Sequence, residues 1–213
     1  MDFEKIIYNI AVWAIPVLFA ITIHEVAHGW MANKLGDSTA RMLGRLSLNP
    51  IKHIDPVGTV LVPIILLIVS PIVFGWAKPV PVDMRHFKNP RRDMAIVAIA
   101  GPLSNILMAV FWVMFLYIMQ AIISDAAIAK GVQSMAVAGI LINVVLFVFN
   151  LIPIPPLDGG RVLAGMVPPK ISNFLDQIEP YGFFIVIALV YFGALKPIIM
   201  PVIEIFFTIF GLS

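Results

Sequence analysis

Residues 6–32 read IIYNIAVWAIPVLFAITIHEVAHGWMA, an apolar run longer than the roughly 20 residues a helix needs to cross a bilayer. Its far end carries three ionisable side chains, His24, Glu25 and His28. Such a group at membrane depth costs on the order of 2.5 to 3.5 kcal/mol on insertion scales and is rare without a function. Counting back from Lys34 at about 1.5 Å per residue puts His28 roughly 9 Å and His24 roughly 15 Å inside the membrane edge. The run is about twice as long as a signal-peptide core, so it reads as a retained membrane helix.

The remainder of the chain shares this character. Of its 213 residues, 61% are hydrophobic and 12% charged, with a mean hydropathy of +1.00, whereas a soluble domain is nearer half apolar and a quarter charged. Further apolar runs occupy residues 94–123, 133–152 and 181–195, with a shorter one at 57–74. Lys34, Arg41, Arg45 and Lys52 precede that short run, and Lys78, Arg85, Lys88, Arg91 and Arg92 follow it. The positive-inside rule places both flanks in the cytoplasm. The run between them, broken by Pro63 and Pro71, then either re-enters as a hairpin or crosses once as an exception to the charge rule.

Residues 75–82, GWAKPVPV, alternate proline with valine and predict an extended edge, because proline in a sheet is confined to edges and bulges. The polar stretch 161–180 predicts a cytoplasmic loop, and Pro201 and Glu204 leave the placement of 198–210 open. The expected fold is an all-α polytopic membrane protein with four to six membrane helices or re-entrant segments and a small β element on the cytoplasmic side. One domain covers 1–213, with its core at 6–161 and C-terminal membrane segments in 181–210. The lipid bilayer is its solvent, and the expected location is the cell's inner membrane with the site nearer the cytoplasmic face. A net charge of +2 argues against nucleic acid as a partner, and the pattern does not reveal an oligomeric state.

In a helix, the i and i+4 histidines of His24-Glu25-Val26-Ala27-His28 share a face and can bind one metal ion, with the glutamate beside them as a general base. The chain has no cysteine, so any transition metal must be held by His, Asp or Glu. A peptidase zinc site needs a third protein donor. Asp158 fits, because it sits in PPLDGG at the end of an apolar span, where prolines break the helix and glycines let the backbone turn closely. The bland readings are a His/Glu packing network and an Asp-Gly turn. His53 and His86 lie in basic loops and are expected to be solvated.

These residues resemble the site-2 proteases, intramembrane zinc metallopeptidases. The resemblance rests on His24–His28 for H-E-x-x-H, on Gly101-Pro102-Leu103-Ser104-Asn105 for G-P-x-x-N, and on NLIPIPPLDGG at Asn150–Gly160 for the L-D-G segment. It runs from about residue 20 to 161 and looks like a minimal form without PDZ or CBS domains. It implies one Zn2+ held by His24, His28 and Asp158, with Glu25 as general base and Asn150 and Asn105 as further catalytic candidates. It also implies that Gly75, Trp76, Ala77, Lys78, Pro79 and Val80 bind an unwound substrate by strand pairing. The implied function is hydrolysis of peptide bonds within or near transmembrane segments of anchored proteins, in regulated intramembrane proteolysis.

Asn150 can be read as an oxyanion donor or as an interhelical hydrogen-bonding residue. Asn143, seven residues earlier on the same face, reads as packing, and Gly101 and Pro102 as a close helix approach with a kink. Two other functions are compatible with intramembrane His, Glu and Asp, a metal-binding transporter and an inactive scaffold. The absence of an internal repeat argues against the first, and the presence of Glu25 against the second.

Overall fold

The computed structural model describes residues 3–62, 65 and 75–212. Its α-helices there are α1 (Phe3–Lys34), the single turn α2 (Thr39–Met42), α3 (Pro90–Ile122), α4 (Ala126–Asn150), α5 (Asp158–Met166), α6 (Pro169–Tyr191) and α7 (Lys196–Ile209). Among the described residues, α1, α3, α4 and α6 are long and apolar enough to cross a membrane. The chain is thus a multi-pass membrane protein. At 14 residues, α7 spans about 21 Å, short of a 30 Å hydrocarbon core.

Local chemistry sets the helix ends. Gly36 lies at φ +113°, and Asp37 N–H reaches Ala32 O at 2.9 Å while Gly36 N–H reaches Asn33 O at 3.4 Å. This is a Schellman stop, which a side-chain-bearing residue at Gly36 would strain. Pro90 and Pro169 begin α3 and α6, where a missing N–H costs nothing. Asp125 caps α4 by accepting Ala127 N–H and Ile128 N–H at 3.0 and 2.9 Å.

The α3–α4 pair forms the centre. Ala109, Trp112, Val113 and Leu116 of α3 pack on Ala136, Ile140, Val144 and Val148 of α4, with Phe206 of α7 closing the cluster. Gly139 lets the two backbones meet over the Trp112 ring, since a Cβ there would lie 2.3 Å from the indole. α1 packs on both α3 and α4, and the short α5 lies along the start of α3.

Three expectations need correction or restriction. No strand forms among the described residues, so the small β element is not found there; residues 75–83 have no regular secondary structure. The physical reason is that their donors go to unlike partners. Trp76 N–H bonds Gly58 O at 3.1 Å, Lys78 N–H bonds His53 O at 2.9 Å, and Val80 N–H bonds the Glu25 carboxylate at 2.7 Å, while Pro79 and Pro81 have no N–H to give. The stretch 161–180 is not a loop, being occupied by α5 and the first half of α6. The choice between re-entry and a single crossing for 57–74 falls on residues 63, 64 and 66–74, which lie outside the described ones.

Asp37 joins the end of α1 to the turn preceding α3. It is fully buried and accepts from Thr39 N–H, the Thr39 hydroxyl and Asp83 N–H, with His86 Nδ1 at 3.1 Å. Burial alone would raise its pKa, but the Thr39, Asp83 and His86 hydrogen bonds together outweigh it and hold the carboxyl below the usual range. A folded-state pKa below the unfolded one contributes stability above the unfolded pKa, and that stability is lost as pH falls through the folded one. Asp37→Asn should therefore lower stability by about 1 to 3 kcal/mol at neutral pH and flatten the acid limb of a melting-temperature profile. An unchanged acid limb would count against this brace.

Candidate metal centre

His24 and His28 lie one turn apart in the last third of α1, and the same helix presents Glu25 between them. Asp158 comes from the first turn of α5, after the proline-broken segment that ends α4. The chain folds back tightly there. Gly159 has Leu151 O and Ile152 O 2.3 and 2.4 Å from where a Cβ would sit, and Gly160 has Pro155 N at 2.4 Å. The two glycines therefore permit the return that carries Asp158 to the histidines.

His24 Nε2 and His28 Nε2 lie 3.2 and 3.3 Å from Asp158 Oδ2 and 3.0 Å from each other. Each ring's other nitrogen is engaged elsewhere. His28 Nδ1 lies 2.8 Å from Val97 O, and His24 Nδ1 lies 2.6 Å from Asn105 Oδ1. Both partners are oxygens that only accept, so both Nδ1 atoms carry protons, and in the neutral imidazoles each Nε2 presents a lone pair. Asp158 Oδ2 is buried without a hydrogen-bond partner of ordinary geometry among the described residues.

With both rings neutral, three lone-pair donors converge, an arrangement that repels unless a proton or a metal ion lies between them. Their mutual spacing matches the edge of about 3.3 Å expected for a tetrahedron with bonds of about 2.0 Å. The donor set of two imidazoles and one carboxylate suits zinc and leaves a fourth position open. Outer partners such as Val97 O and Asn105 are the kind of support that orients metal-binding histidines.

The cluster opens on a cavity of about 570 Å3, with walls that include Ile21, Trp76, Leu146, Phe149, Phe183 and Val186. His24, Glu25, His28, Asn150 and Asp158 all line it. Of the segment expected to bind substrate, Gly75, Trp76, Ala77, Pro79 and Val80 line the cavity. Lys78 is exposed and turns its backbone to His53. Arg45 holds this strap from outside, its Nη2 donating to Lys78 O at 2.8 Å and Pro79 O at 3.3 Å, and Trp76 meets Phe183 of α6 edge to face with ring centroids 5.3 Å apart.

Asn105 is fully buried behind His24, away from the cavity. Asn150 is at the cavity wall, with Nδ2 donating to Leu146 O in its own helix at 3.0 Å. His53 departs from its expected solvated position: it is 2% exposed, bonds Ser47 O through Nε2 at 2.8 Å, and accepts Lys78 N–H on its backbone oxygen. His86 is half exposed against Asp37. Nothing in the sequence pointed to the Val80 N–H on the Glu25 carboxylate, a bond between residues 55 apart.

Gly101 stands where α3 crosses the two histidines. A Cβ on it would lie 2.4 Å from His28 Nε2 and 2.6 Å from His24 Cε1. The close approach expected of the G-P-x-x-N segment is thus made against the histidine rings themselves.

Residues 117–192 match the family model described as Peptidase family M50. The chain is 44% identical over 177 residues to the "Putative zinc metalloprotease YwhC" of Bacillus subtilis, covering 82% of this chain and 78% of the relative. It is 30% identical over 196 residues to the "Putative zinc metalloprotease Rip2" of Mycolicibacterium smegmatis, covering 92% and 73%. No solved structure matches the chain.

Proposed function

From the chain's membership of peptidase family M50, the site-2 protease family, we propose that it is an intramembrane zinc endopeptidase acting on membrane-anchored proteins. The observation that supports this most is the convergence of His24 Nε2, His28 Nε2 and the orphaned Asp158 Oδ2 at one end of an apolar cavity, beside Glu25. His24, His28 and Asp158 would hold one zinc ion. Bound there, zinc supplies Lewis acidity, polarising a carbonyl and acidifying water at neutral pH.

Glu25 acts as the base, taking a proton from the attacking water and passing it to the leaving amide nitrogen. The Val80 N–H at 2.7 Å fixes its rotamer, and a carboxylate retains further lone pairs for the proton. Asn150 uses one amide hydrogen on Leu146 O. The second amide hydrogen is available for the oxygen of the substrate carbonyl as charge develops on it. The apolar walls fit the side chains of a membrane segment.

A transmembrane helix hides its peptide bonds in its own hydrogen bonds and must unwind before hydrolysis. Gly75–Val80 would receive the extended substrate. The N–H groups of Trp76, Lys78 and Val80 all engage the protein, so the substrate backbone would pair with other groups of this segment.

Purified protein in proteoliposomes should carry close to one zinc per chain and cut an embedded single-span model substrate. Chelation should remove both properties, and zinc should restore both. Cleavage that survives metal removal would sink the proposal, as would zinc flux across the vesicle with no cleavage.

A further inference from the structure

Asn105 and Asn143 are both fully buried, one on α3 and one on α4, and their amides form a chain that runs from a backbone carbonyl to His24. Asn143 Nδ2 donates to Gly139 O at 2.8 Å. That carbonyl can only accept, so the amide is oriented with its oxygen toward Asn105. Asn105 Nδ2 donates to Asn143 Oδ1 at 3.0 Å and to Ala20 O at 3.3 Å. Its own oxygen is thereby turned onto His24 Nδ1 at 2.6 Å. Flipping either amide would set oxygen against oxygen in a buried place, at a cost of about 1 to 3 kcal/mol for each unsatisfied group.

We infer that Asn143 and Asn105 are positioning residues that fix the tautomer of His24, acting as a one-way relay from Gly139 O that puts the proton on Nδ1 and the lone pair on Nε2. A neutral imidazole has one N–H, and which nitrogen carries it is set by what the other end must meet. His28 achieves the same state more simply, through Val97 O. The two histidines are therefore oriented by independent devices. This inference rests on the metal-site reading above, but concerns a property of the protein that exists before any metal binds.

The test is 15N NMR of the full-length, histidine-labelled, metal-free protein in detergent, with zinc affinity measured alongside. Wild-type His24 should show a protonated Nδ1 and an unprotonated Nε2, as should His28. In Asn143→Leu, which removes the link but keeps the volume, His24 should become a mixture of tautomers while His28 stays unchanged. Zinc affinity should fall about tenfold, at the lower end of losses seen when outer partners of metal ligands are removed. Asn105→Leu should do at least as much, and the double variant no more than Asn105→Leu alone, because the two residues act in series.

A wild-type neutral His24 protonated on Nε2 and not on Nδ1 overturns the relay without any variant. So does an Asn143→Leu protein with an unaltered His24, or one in which both histidines change together, which marks general damage. Absence of zinc from a wild-type protein whose His24 shows the expected tautomer would instead strike the metal reading and leave the relay standing.

Discussion

Glu25→Gln should keep its zinc and its fold and lose about three orders of magnitude in cleavage rate, within the range of about 10² to 10⁴ that a general base contributes. Glutamine has nearly the same shape, and its amide oxygen can still accept the Val80 N–H that the Glu25 carboxylate accepts at 2.7 Å. The strap should therefore stay in place. None of the three converging donor atoms belongs to residue 25, so metal content should not change. What the variant lacks is a group that can take a proton from water and return it to the leaving nitrogen. Measured cleavage close to wild type would remove Glu25 from the mechanism, and loss of zinc would show that it supports the metal.

Gly101→Ala should abolish stoichiometric zinc binding under conditions where the wild type is saturated, with a fall in affinity of about two orders of magnitude. The added methyl group would lie 2.4 Å from His28 Nε2 and 2.5 Å from His28 Cε1, so a ring must move by about an ångström. Neither ring is free to yield, because Val97 O and Asn105 Oδ1 hold their far nitrogens at 2.8 and 2.6 Å. Any shift that clears the methyl group breaks one of those bonds or separates the two Nε2 atoms. Displacements of this size are enough to cost roughly 10²-fold where geometry governs function. Gly131→Ala on α4 is the matched control, since a Cβ there meets nothing within 4 Å, and the change should be neutral or slightly stabilising. Zinc binding of wild-type affinity by Gly101→Ala would mean that the α1–α3 crossing is looser than described.

The parts legible in the sequence are those that depend on local geometry or on scarcity. Helical periodicity alone puts His24 and His28 on one face, whatever packs around them. Asp158 stood out because a chain with 12% charged residues and no cysteine offers few third donors near a membrane core. Composition decided the solvent, and four of the expected apolar runs correspond to the helices α1, α3, α4 and α6. The stretch 161–180 was misread because its charges suggested a loop, whereas Pro169 starts a helix whose polar first turns precede its apolar span.

Long-range partners were not legible, because periodicity says nothing about which distant group a donor will meet. The 75–80 segment has the composition of an edge strand, but a strand requires a neighbouring ladder. Its donors instead met the Gly58 carbonyl of a short π-helical turn, the His53 carbonyl and, 55 residues away in sequence, the Glu25 carboxylate. Asn105, a catalytic candidate from the sequence, has its oxygen 2.6 Å from His24 Nδ1, 81 residues away, and Asn143, expected to pack, accepts from Asn105 across the two helices. The sequence by itself determined the membrane setting and the helix turn that puts His24 and His28 on one face. Only the tertiary structure decided which nitrogen of His24 faces the donors' meeting point, where Glu25 is anchored, and why position 101 must be glycine. Those properties depend on hydrogen-bond direction and sub-ångström clearance between helices that are distant in the chain.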